Sequence, residues 1–362
     1  VWTRPRLLAA LTASLPAVGI SGTHGKTTGT ALAVAAARGA GLDPSFVVGG
    51  LLVDANTNAH LGDPGLFILE ADEAFGTFED LELRSLLVTS IEADHLDHYG
   101  TLDRLEAAFL SVARRVPGPV VVCRDDPGAA AMAAETGAVT YGTDAGADWH
   151  IGRLRHGQWD VEFTLAGRGH SYSVRVPKPG LHIARNAAGV LALFGEMGLD
   201  VTAAAAGLTS FSGVRRRFEI KARLGGITVV DDYAHHPTEI AATIEAARRG
   251  EWNRVWAVFQ PHRFTRTEAL APDLGASLTG ADAVVVCDVY PADERPIPGV
   301  TGRLVADAAA AAGAAAEYVP SRRDLARVLA PRLERGDLVL LLGAGDIAAV
   351  SDELVMALET GR

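Results

Sequence analysis

A glycine-rich segment at residues 22–28, Gly-Thr-His-Gly-Lys-Thr-Thr, has the residue types and spacing of a phosphate-binding loop. A short apolar run at residues 17–20 predicts a strand before it, and an Ala-rich run ending near Gly39 predicts a helix after it. Gly22 and Gly25 allow the backbone to turn sharply between these two elements. The N–H groups of such a loop and the N-terminus of its helix favour an anion.

Lys26 and Thr27 are the side chains of this loop that would act on a nucleotide. The lysine would neutralise the β- and γ-phosphates, and the threonine hydroxyl would be a ligand for Mg2+. The strict pattern has a glycine where this chain has Ile20, and an ordinary strand–helix turn is the alternative interpretation. Because strand, loop and helix occur together, we favour the nucleotide site.

Acidic residues and a histidine follow the next predicted strands, at residues 65–71 and 86–91. They are Glu70, Glu73, Asp94 and His95. The carboxyl ends of parallel strands are where ligands bind in open α/β sheets. Mg2+ prefers oxygen ligands, and imidazole is a less usual partner. Taken singly, each residue is better explained as part of a solvated loop, but as a group near Thr27 they predict a metal site.

Two polar segments in the C-terminal half, at residues 231–237 and 260–266, each follow a predicted strand and therefore predict a second site. Arg263 and Arg266 are three residues apart, and guanidinium groups suit carboxylates or phosphates. Two exposed arginines in a capping loop are the alternative. The glycine turn at residues 343–345 by itself favours packing over ligand binding. The sequence has no Gly-x-Gly-x-x-Gly motif, so it does not support a dinucleotide site.

The composition indicates an ordinary globular protein. The chain has 362 residues, 48% apolar and 21% charged, which is enough for two domains. The net charge of −11 disfavours a general nucleic-acid binder. We expect no membrane insertion and no signal peptide, and buried thiols at Cys123 and Cys287 in a reducing compartment, which together favour the cytoplasm. Because the chain begins with Val1 rather than Met, we expect it to be a fragment of a longer protein.

The order of predicted elements indicates an α/β protein with two domains. A helical lead-in at residues 1–16 precedes a central P-loop-type domain at residues 17–212, where strands alternate with helices and imply a mostly parallel sheet. Short alternating runs at residues 149–176 predict an antiparallel meander attached to that sheet. After a linker at residues 210–214 the alternation restarts, in a Rossmann-like, doubly wound C-terminal domain at residues 213–362.

The spacing of apolar residues predicts three further elements. A strand is predicted at residues 45–52, and helices are predicted at residues 266–278 and 322–333.

Eight short motifs follow one another along the chain. They are Gly22-Thr-His-Gly-Lys-Thr-Thr28, Glu70-Ala-Asp-Glu73, Ile91-Glu-Ala-Asp-His-Leu-Asp97, His182 with Asn186, Arg216-Arg-Phe-Glu219, Asp231-Asp-Tyr-Ala-His-His-Pro237, Gln260-Pro-His-Arg-Phe-Thr-Arg266 and Val289-Tyr-Pro291. In this order they resemble the alanine-adding branch of the Mur ligase family of peptidoglycan synthesis, over nearly the whole chain. The sequence departs from that pattern at residues 74–76, where a Ser-Asp pair is usual, and at Ser90, where asparagine is common.

The resemblance implies an ATP-dependent amide-bond ligase. ATP would phosphorylate the lactyl carboxylate of UDP-N-acetylmuramate, and the amine of L-alanine would attack the acyl phosphate. The implied cofactors are ATP and Mg2+, and the implied partners are these small-molecule substrates. Family members carry a further N-terminal domain that binds the UDP group, and we expect this chain to lack it.

The resemblance also implies roles for individual residues. The residues implied to bind ATP are Gly22, Thr23, His24, Gly25, Lys26, Thr27, Thr28, His182, Asn186, Arg217 and Asp232. The implied metal ligands are Thr27, Glu70 and His95, and the residues implied to face the muramyl and alanine groups are Tyr233, His235, Arg263 and Arg266. The implied catalytic set is Lys26, Glu70, His95, His235, Arg263 and Arg266. Since these residues belong to two domains, we expect turnover to require closure about the linker.

Two alternative functions remain open from the sequence. One is a related ligase that adds a preformed peptide or another amino acid to the same nucleotide sugar. The other is a nucleotide-binding module without catalysis, because the UDP-binding domain is expected to be missing. For the chain as given we expect binding of Mg-ATP but poor ligation. A P-loop GTPase or motor is disfavoured, since its nucleotide site would not need the arginines and histidines of the second domain.

Overall fold

The computed structural model describes residues 2–360, and the chain divides into two compact units, Val1–Val214 and Arg215–Arg362. The division falls after Val214, two residues beyond the predicted end of the central domain. Among residues 2–360, no helix combines the length and apolar character needed to cross a bilayer.

The first unit is built on a sheet of ten strands, counted over residues 2–360. They are β1 Ala17–Ser21, β2 Pro44–Val47, β3 Ala59–His60, β4 Asp63–Glu70, β5 Ser85–Val88, β6 Val120–Cys123, β7 Val139–Gly142, β8 Trp149–His156, β9 Val161–Gly167 and β10 His170–Val176. The order across the sheet is β10-β9-β8-β7-β6-β5-β1-β4-β2-β3. The seven strands that lie between β8 and β2 in the sheet, these two included, are parallel to one another. Strands β3, β9 and β10 are antiparallel to their neighbours. This confirms the mostly parallel sheet with an antiparallel meander.

Helices cover both faces of this sheet. They are α1 Arg4–Ser14, α2 Lys26–Gly39, α3 Leu96–Tyr99, α4 Leu102–Arg115, α5 Pro127–Thr136, α6 Leu181–Glu196 and α7 Val201–Leu208, with a 3₁₀ helix at Ala74–Asp80. One apolar core joins α2, α6 and α7 to the sheet, and a second core joins α1, α4 and α5 to the other face. Helix α2 is buried over most of its length, so the helix that follows the phosphate loop is fixed by packing rather than by its own propensity.

The helices α2 and α7 approach closely at two glycines. A Cβ atom on Gly207 would lie 2.6 Å from Cα of Gly39, and a Cβ atom on Gly39 would overlap the Gly207 backbone. Only hydrogen atoms fit between the two backbones at this point, and the contact lies at the end of α2 opposite the phosphate loop.

The second unit contains a separate sheet of six strands within the described chain. They are β11 Glu219–Leu224, β12 Ile227–Asp232, β13 Val255–Phe259, β14 Ala283–Val286, β15 Ala316–Tyr318 and β16 Leu338–Leu342, in the order β11-β12-β16-β13-β14-β15. All neighbours are parallel except β11 and β12. Strand β16, Leu-Val-Leu-Leu-Leu, is wholly buried at the centre of the sheet, as expected for a parallel strand covered on both faces.

Helices connect the strands of this second sheet. They are α8 Pro237–Arg248, α9 Phe264–Ser277, α10 Gly302–Ala311, α11 Leu325–Leu329 and α12 Ala349–Thr360, with 3₁₀ helices at Arg322–Asp324, Ala330–Arg332 and Asp346–Ala348. The alternation of strand and helix confirms the doubly wound architecture.

Three predicted elements differ from the structure. The strand predicted at residues 45–52 ends at Val47. Two glycines follow after Val48, and the amide of Gly49 donates to Glu70 instead of to a neighbouring strand. The helix predicted at residues 322–333 is divided into two 3₁₀ turns around α11, and the second of these turns contains Pro331, which cannot continue an α-helix. Helix α9 begins at Phe264 rather than at residue 266, so Arg263 is its N-cap.

The predicted linker is packed onto the first unit. Val214 is buried and pairs with Leu52, and the amide of Val53 donates to the carbonyl of Gly213. Phe211 is buried in the core beside α2, α6 and α7. The segment predicted as a linker is therefore held against the first unit by backbone pairing and apolar burial.

Candidate functional site

The phosphate loop begins where β1 ends, between the neighbouring strands β4 and β5. Gly22 and Gly25 have φ angles of 127° and 83°, in a region that side chains with a Cβ atom rarely adopt. A Cβ atom at Gly25 would lie 2.7 Å from Oδ1 of Asn186, and one at Gly22 would overlap Oγ1 of Thr89. The predicted sharp turns are present, and both glycines are required by their neighbours as well as by their backbone angles.

The segment after β5 supports the loop through hydrogen bonds. The amide of Thr23 donates to the carbonyl of Ser90 at 2.9 Å, and the amide of His24 donates to Oγ of Ser90 at 3.0 Å. Oγ1 of Thr23 accepts from the amide of Glu92 at 2.8 Å, and Nε2 of His24 lies 3.3 Å from a Glu92 carboxylate oxygen. Ser90, which replaces a common asparagine, therefore has a defined role in holding the loop.

Lys26 is surrounded by oxygen atoms. Its Nζ donates to the carbonyls of Gly22 at 2.8 Å and Thr23 at 3.3 Å, and to Oε1 of Glu73 at 2.7 Å. Asp72 lies 3.5 Å away. Burial alone would lower the pKa of Lys26, but the carboxylates of Glu73 and Asp72 raise it above its ordinary value. The lysine is therefore a cation held inside its own loop.

Glu73 is the partner that sequence reasoning grouped with the acidic residues without giving it a role. It is 0% exposed, and among residues 2–360 no hydrogen-bond partner reaches its second oxygen, Oε2. Burial raises the pKa of Glu73 above its ordinary value, against the attraction of Lys26. Nε2 of His95 lies 3.9 Å from Oε1 of Glu73, and the hydroxyl of Tyr99 donates to the Glu73 carbonyl. Only the fold could reveal this pairing, since Glu73 is 47 residues from Lys26.

Thr27 and Glu70, two of the predicted metal ligands, are brought together. Oγ1 of Thr27 donates to Oε1 of Glu70 at 3.1 Å, and the other carboxylate oxygen accepts from the amide of Gly49 at 2.7 Å. Thr28 is buried beside Thr27 in the first turn of α2. The hydroxyl oxygen of Thr27 and the carboxylate oxygens of Glu70 are hard oxygen donors of the kind that Mg2+ prefers.

His95 lies in the strained turn before α3. Its φ angle is 52°, and its amide donates to Oδ1 of Asp94 at 2.8 Å. Its imidazole Nε2 is 3.8 Å from Oδ2 of Asp94, in addition to the contact with Glu73. The structure thus places His95 among carboxylates at the end of the segment after β5. Its role as a metal ligand stays a prediction.

Helix α6 carries two of the residues implied to bind ATP. Asn186 is buried against Gly25 of the phosphate loop, and His182 lies one turn earlier on the same side of the helix. Nε of Arg185 is 2.7 Å from a carboxylate oxygen of Asp125, which ties the first turns of α6 to the segment after β6. Asn186 is therefore positioned beside the loop by the fold, while its contact with ATP stays a prediction.

In the second unit, the buried Asp232 lies at the end of β12. Its two carboxylate oxygens accept from the amides of Phe218 at 2.7 Å and Ala234 at 2.8 Å. Burial raises the pKa of Asp232 above its ordinary value, although the nearby charge of Arg217 acts against this. The neighbouring Asp231 is also buried, and burial raises its pKa to about 6 in spite of Arg216.

Tyr233 lies against two guanidinium groups. The central carbons of Arg216 and Arg217 are each 5.0 Å from the centre of its ring, within the range of a cation–π contact. Arg216 also donates to the carbonyl of Gly343 at 2.6 Å. Arg217, which is implied to bind ATP, therefore lies beside Asp232 and Tyr233. The glycine turn at residues 343–345 contacts the same group of side chains through Arg216.

His235 belongs to a row of rings at the carboxyl ends of β12, β13 and β14. Its Nδ1 lies 3.1 Å from the carbonyl of Tyr233, and its ring centre is 5.7 Å from that of His262. His262 stacks on Tyr290 at 5.5 Å. Burial, followed by the charges of His235, Arg266 and Arg263, lowers the pKa of His262 to about 4, so its ring is neutral near pH 7. The two polar segments predicted from the sequence do meet within this unit.

Arg263 is the N-cap of α9, and Arg266 is in the first turn of that helix. Nε of Arg263 is 2.9 Å from Oε1 of Glu294, which lies in the segment after β14. No motif indicated Glu294, because it is distant in sequence and a single glutamate carries no pattern. Glu294 is recognised as part of the site only through its contact with Arg263, which was predicted from the sequence.

Comparison with known proteins identifies both units. The model of the Mur ligase middle domain matches residues 20–194, and that of the Mur ligase glutamate ligase domain matches residues 216–345. Curated proteins named UDP-N-acetylmuramate–L-alanine ligase are 42% identical to this chain in Cutibacterium acnes, over 99% of the chain and 78% of that protein, and 42% identical in Myxococcus xanthus, over 99% and 77%.

Solved structures agree with these matches. The UDP-N-acetylmuramate-alanine ligase of Thermotoga maritima has a TM-score of 0.83 and 27% identity, covering 99% of this chain and 79% of that one. A murein peptide ligase from Psychrobacter arcticus shares the fold, with a TM-score of 0.70 and 24% identity over 98% of this chain and 80% of that one. Because relatives 42% identical over 99% of the chain and two Mur ligase domain models match both units, this chain belongs to the Mur ligase family.

Proposed function

We propose that this Mur ligase uses ATP to join L-alanine to the lactyl carboxylate of UDP-N-acetylmuramate, a step in peptidoglycan synthesis. The observation that carries the proposal is the name shared by relatives 42% identical over 99% of the chain. The loop centred on Lys26, with its glycine turns and buried acidic partners, supports the use of a nucleoside triphosphate. Because the reaction consumes ATP, we place it in the cytoplasm.

The reaction needs activation because a carboxylate has no leaving group that an amine could displace. An oxygen of the carboxylate attacks the γ-phosphorus of ATP, the bond to the β–γ bridging oxygen breaks, and ADP leaves. The amine of L-alanine then attacks the acyl carbon, the bond from that carbon to the phosphate oxygen breaks, and phosphate leaves with its electron pair. The amine loses a proton, and an amide remains. Positioning and charge neutralisation are the main tasks of the protein in such a transfer.

Residues of the first unit bind and orient the triphosphate. Lys26 donates to its phosphate oxygens, the loop amides face them, and Asn186 borders the loop on the adenine side. Thr27, Glu70 and His95 would hold Mg2+, which when bound neutralises charge on the phosphate oxygens. Glu73 holds Lys26 before the nucleotide arrives, as their distance of 2.7 Å indicates.

Residues of the second unit act on the acceptor groups. Arg263 and Arg266 offer guanidinium groups that suit the carboxylate of the amino acid. His235 has Nδ1 within reach of the Tyr233 carbonyl, so donation from Nδ1 leaves the lone pair on Nε2. An imidazole in this tautomer can accept the proton that the amine loses. Arg217 and Asp232 are proposed to contact the nucleotide through a phosphate and the ribose.

The test is a ligation assay with the purified chain, Mg-ATP, UDP-N-acetylmuramate and one of L-alanine, glycine, L-serine or a tripeptide. Release of phosphate and formation of the amide are measured. We expect slow turnover with L-alanine, in keeping with the poor ligation expected of this chain, and turnover with the tripeptide alone would instead support the peptide-adding alternative. Lys26→Ala should weaken binding of ATP and abolish turnover, whereas Arg263→Ala should leave ATP binding intact and impair use of the acceptor substrates. ATP binding without ligation of any acceptor would contradict the proposal and support a non-catalytic module.

A further inference from the structure

Asp125 joins three parts of the first unit through a single carboxylate. It lies in the segment after β6, and its oxygens accept from the amide of Thr143 at 2.8 and 2.9 Å and from the amide of Asp144 at 2.9 Å. The hydroxyl of Thr143 donates to Oδ2 at 2.9 Å, and Nε of Arg185 in α6 donates to the same oxygen at 2.7 Å. One side chain therefore connects the end of β6, the end of β7 and the first turns of α6.

The carboxylate of Asp125 has a fixed place and a fixed charge. Its side chain is 6% exposed. A Cβ atom on Gly142, the last residue of β7, would lie 2.5 Å from Oδ1 of Asp125, so glycine leaves the room that the carboxylate needs. Burial acts to raise the pKa of Asp125, but the hydrogen bonds from Thr143 and Asp144 and the charge of Arg185 bring it below its ordinary value. The bond to Arg185 is therefore a charge-assisted hydrogen bond at neutral pH.

The buried face of α6 near Arg185 consists of small residues. Ala184, Ala187 and Ala188 are 0% exposed. Gly189 lies against Tyr141 of β7, where a Cβ atom would be 2.6 Å from the ring. Small residues let a helix approach a sheet closely, but they offer few atoms for contacts that interlock with a neighbour. A directional bond at Arg185 therefore constrains the position of the helix along and around its axis, which this face of small residues does only weakly.

The position of α6 matters because Asn186 follows Arg185 directly. Asn186 is 6% exposed, and a Cβ atom on Gly25 would lie 2.7 Å from its Oδ1. The side chain of Asn186 therefore packs on the backbone of the phosphate loop, and a displacement of α6 would either press on that loop or leave a gap behind it. We propose that Asp125 is a positioning residue for the nucleotide site, which holds Arg185 and thereby sets Asn186 against the phosphate loop. The assignment of ATP as the nucleotide rests on the proposed function.

The experiment measures the dissociation constant of Mg-ATP by calorimetric titration in the wild-type chain, in Asp125→Asn, in Arg185→Gln and in the double variant. We expect each single change to raise this constant by about 5-fold or more, since the geometry of a binding residue depends on the groups that hold it. Because both changes break the same contact, the double variant should bind at most about 2-fold more weakly than the weaker single variant. Arg185→Gln keeps the bonds of Asp125 to Thr143 and Asp144, so it tests the role even if Asp125→Asn fails to fold.

Two matched controls separate this role from stability. Asp148 also accepts from the amide and the hydroxyl of one threonine, Thr140, at 2.8 and 2.7 Å, so Asp148→Asn loosens a similar contact in the connection between β7 and β8. Glu196→Gln weakens the ion pair with Arg168, at 2.6 Å, at the other end of α6. Both variants should keep the dissociation constant of Mg-ATP within about 2-fold of wild type.

Three results of these titrations would overturn the proposal. The first is that either control weakens binding of Mg-ATP as much as Asp125→Asn does. The second is that Asp125→Asn folds and leaves the dissociation constant unchanged. The third is that the effects of the two single changes multiply in the double variant, because Asp125 would then act independently of Arg185.

A second measurement needs no nucleotide. The side-chain amide signals of Asn186 in the NMR spectrum, assigned by their loss in Asn186→Ala, should shift in Asp125→Asn and in Arg185→Gln and should stay in place in Asp148→Asn. Unchanged signals in the first two variants would contradict the positioning role. If the wild-type chain fails to bind Mg-ATP, the proposed function is wrong, and these signals still decide whether Asp125 sets the position of Asn186.

Discussion

Nζ of Lys26 lies 2.7 Å from Oε1 of Glu73, and this contact uses the last of the three hydrogen atoms of the ammonium group. The other two point to the carbonyls of Gly22 and Thr23, which belong to the loop itself. A phosphate oxygen can therefore bind Lys26 only by replacing one of these partners. Glu73 is the one that is not part of the loop backbone.

We expect Glu73→Gln to bind Mg-ATP more tightly than the wild-type chain, by about 3-fold to 10-fold, because a weaker internal partner competes for Lys26 (a factor of 10 corresponds to about 1.4 kcal/mol). Calorimetric titration with Mg-ATP measures the change. Weaker binding by Glu73→Gln would show instead that Glu73 is needed to hold the lysine ready.

Lys26→Ala should leave Glu73 as an unpaired buried charge and lower the free energy of unfolding by about 3–5 kcal/mol. Adding Glu73→Gln to it should restore most of that stability, since an amide needs no counter-ion, but should not restore binding of ATP. Denaturant unfolding of both variants is the measurement. Equal stabilities of the single and the double variant would contradict the buried pair.

Gly25→Ala should damage the loop beyond the cost of its backbone angle. The new methyl group would meet Asn186 at 2.7 Å, and φ is 83°. Gly41→Ala is the matched control, because φ is 79° there and no described atom would lie within 4 Å of its Cβ. Each change should cost about 1–2 kcal/mol from the backbone angle. Only Gly25→Ala should lose more stability than this, and only this variant should bind ATP weakly.

Glu70→Gln should raise the Mg2+ concentration needed for tight binding of ATP by about 10-fold or more, since a neutral amide replaces a charged ligand. The amide oxygen can still accept from Gly49, so the fold should be retained. Calorimetric titrations of ATP at several Mg2+ concentrations measure the effect. An unchanged dependence on Mg2+ would remove Glu70 from the metal site.

Asp231 should make the second unit less stable as the pH rises from 4 to 6. Its pKa is about 6 in the folded protein against an ordinary value of 3.8, so in this range the folded state binds more protons than the unfolded state. The free energy of unfolding then falls with rising pH, by about 3 kcal/mol if the whole shift acts. Unfolding curves at several pH values should show this slope, and Asp231→Asn should remove it.

His262 acts with the opposite sign over a similar range. Its pKa is about 4 in the folded protein against an ordinary value of 6.5, so the unfolded state binds more protons, and stability is lost as the pH falls. The contribution of Asp231 should therefore appear most clearly in the His262→Asn background. If that background shows no rise in stability towards pH 4, the buried Asp231 carboxyl is not perturbed as described.

The sequence predicted correctly those elements whose structure depends on residues that are neighbours in the chain. The strand, the glycine turn and the helix around Lys26 were predictable because each depends on neighbours in the chain. The contacts of Glu73 and Glu294 were not predictable, since each joins segments that only the sheet order brings together. The strand predicted at residues 45–52 failed because a tertiary hydrogen bond from Gly49 to Glu70 outweighed the local preference for an extended chain.

The close approach of α2 and α7 restricts how this protein can change over evolutionary time. A side chain gained at Gly39 could not be accommodated by a smaller residue at Gly207, because that residue is already the smallest, and the reverse also holds. Neither position has a compensating partner. The helix is about 20 Å long, so a substitution at this remote end would displace the helix that carries Lys26 without touching any group that binds substrate. A substitution at Gly207 would thus lower the affinity for ATP by pushing the two helices apart, not by removing a group that binds ATP.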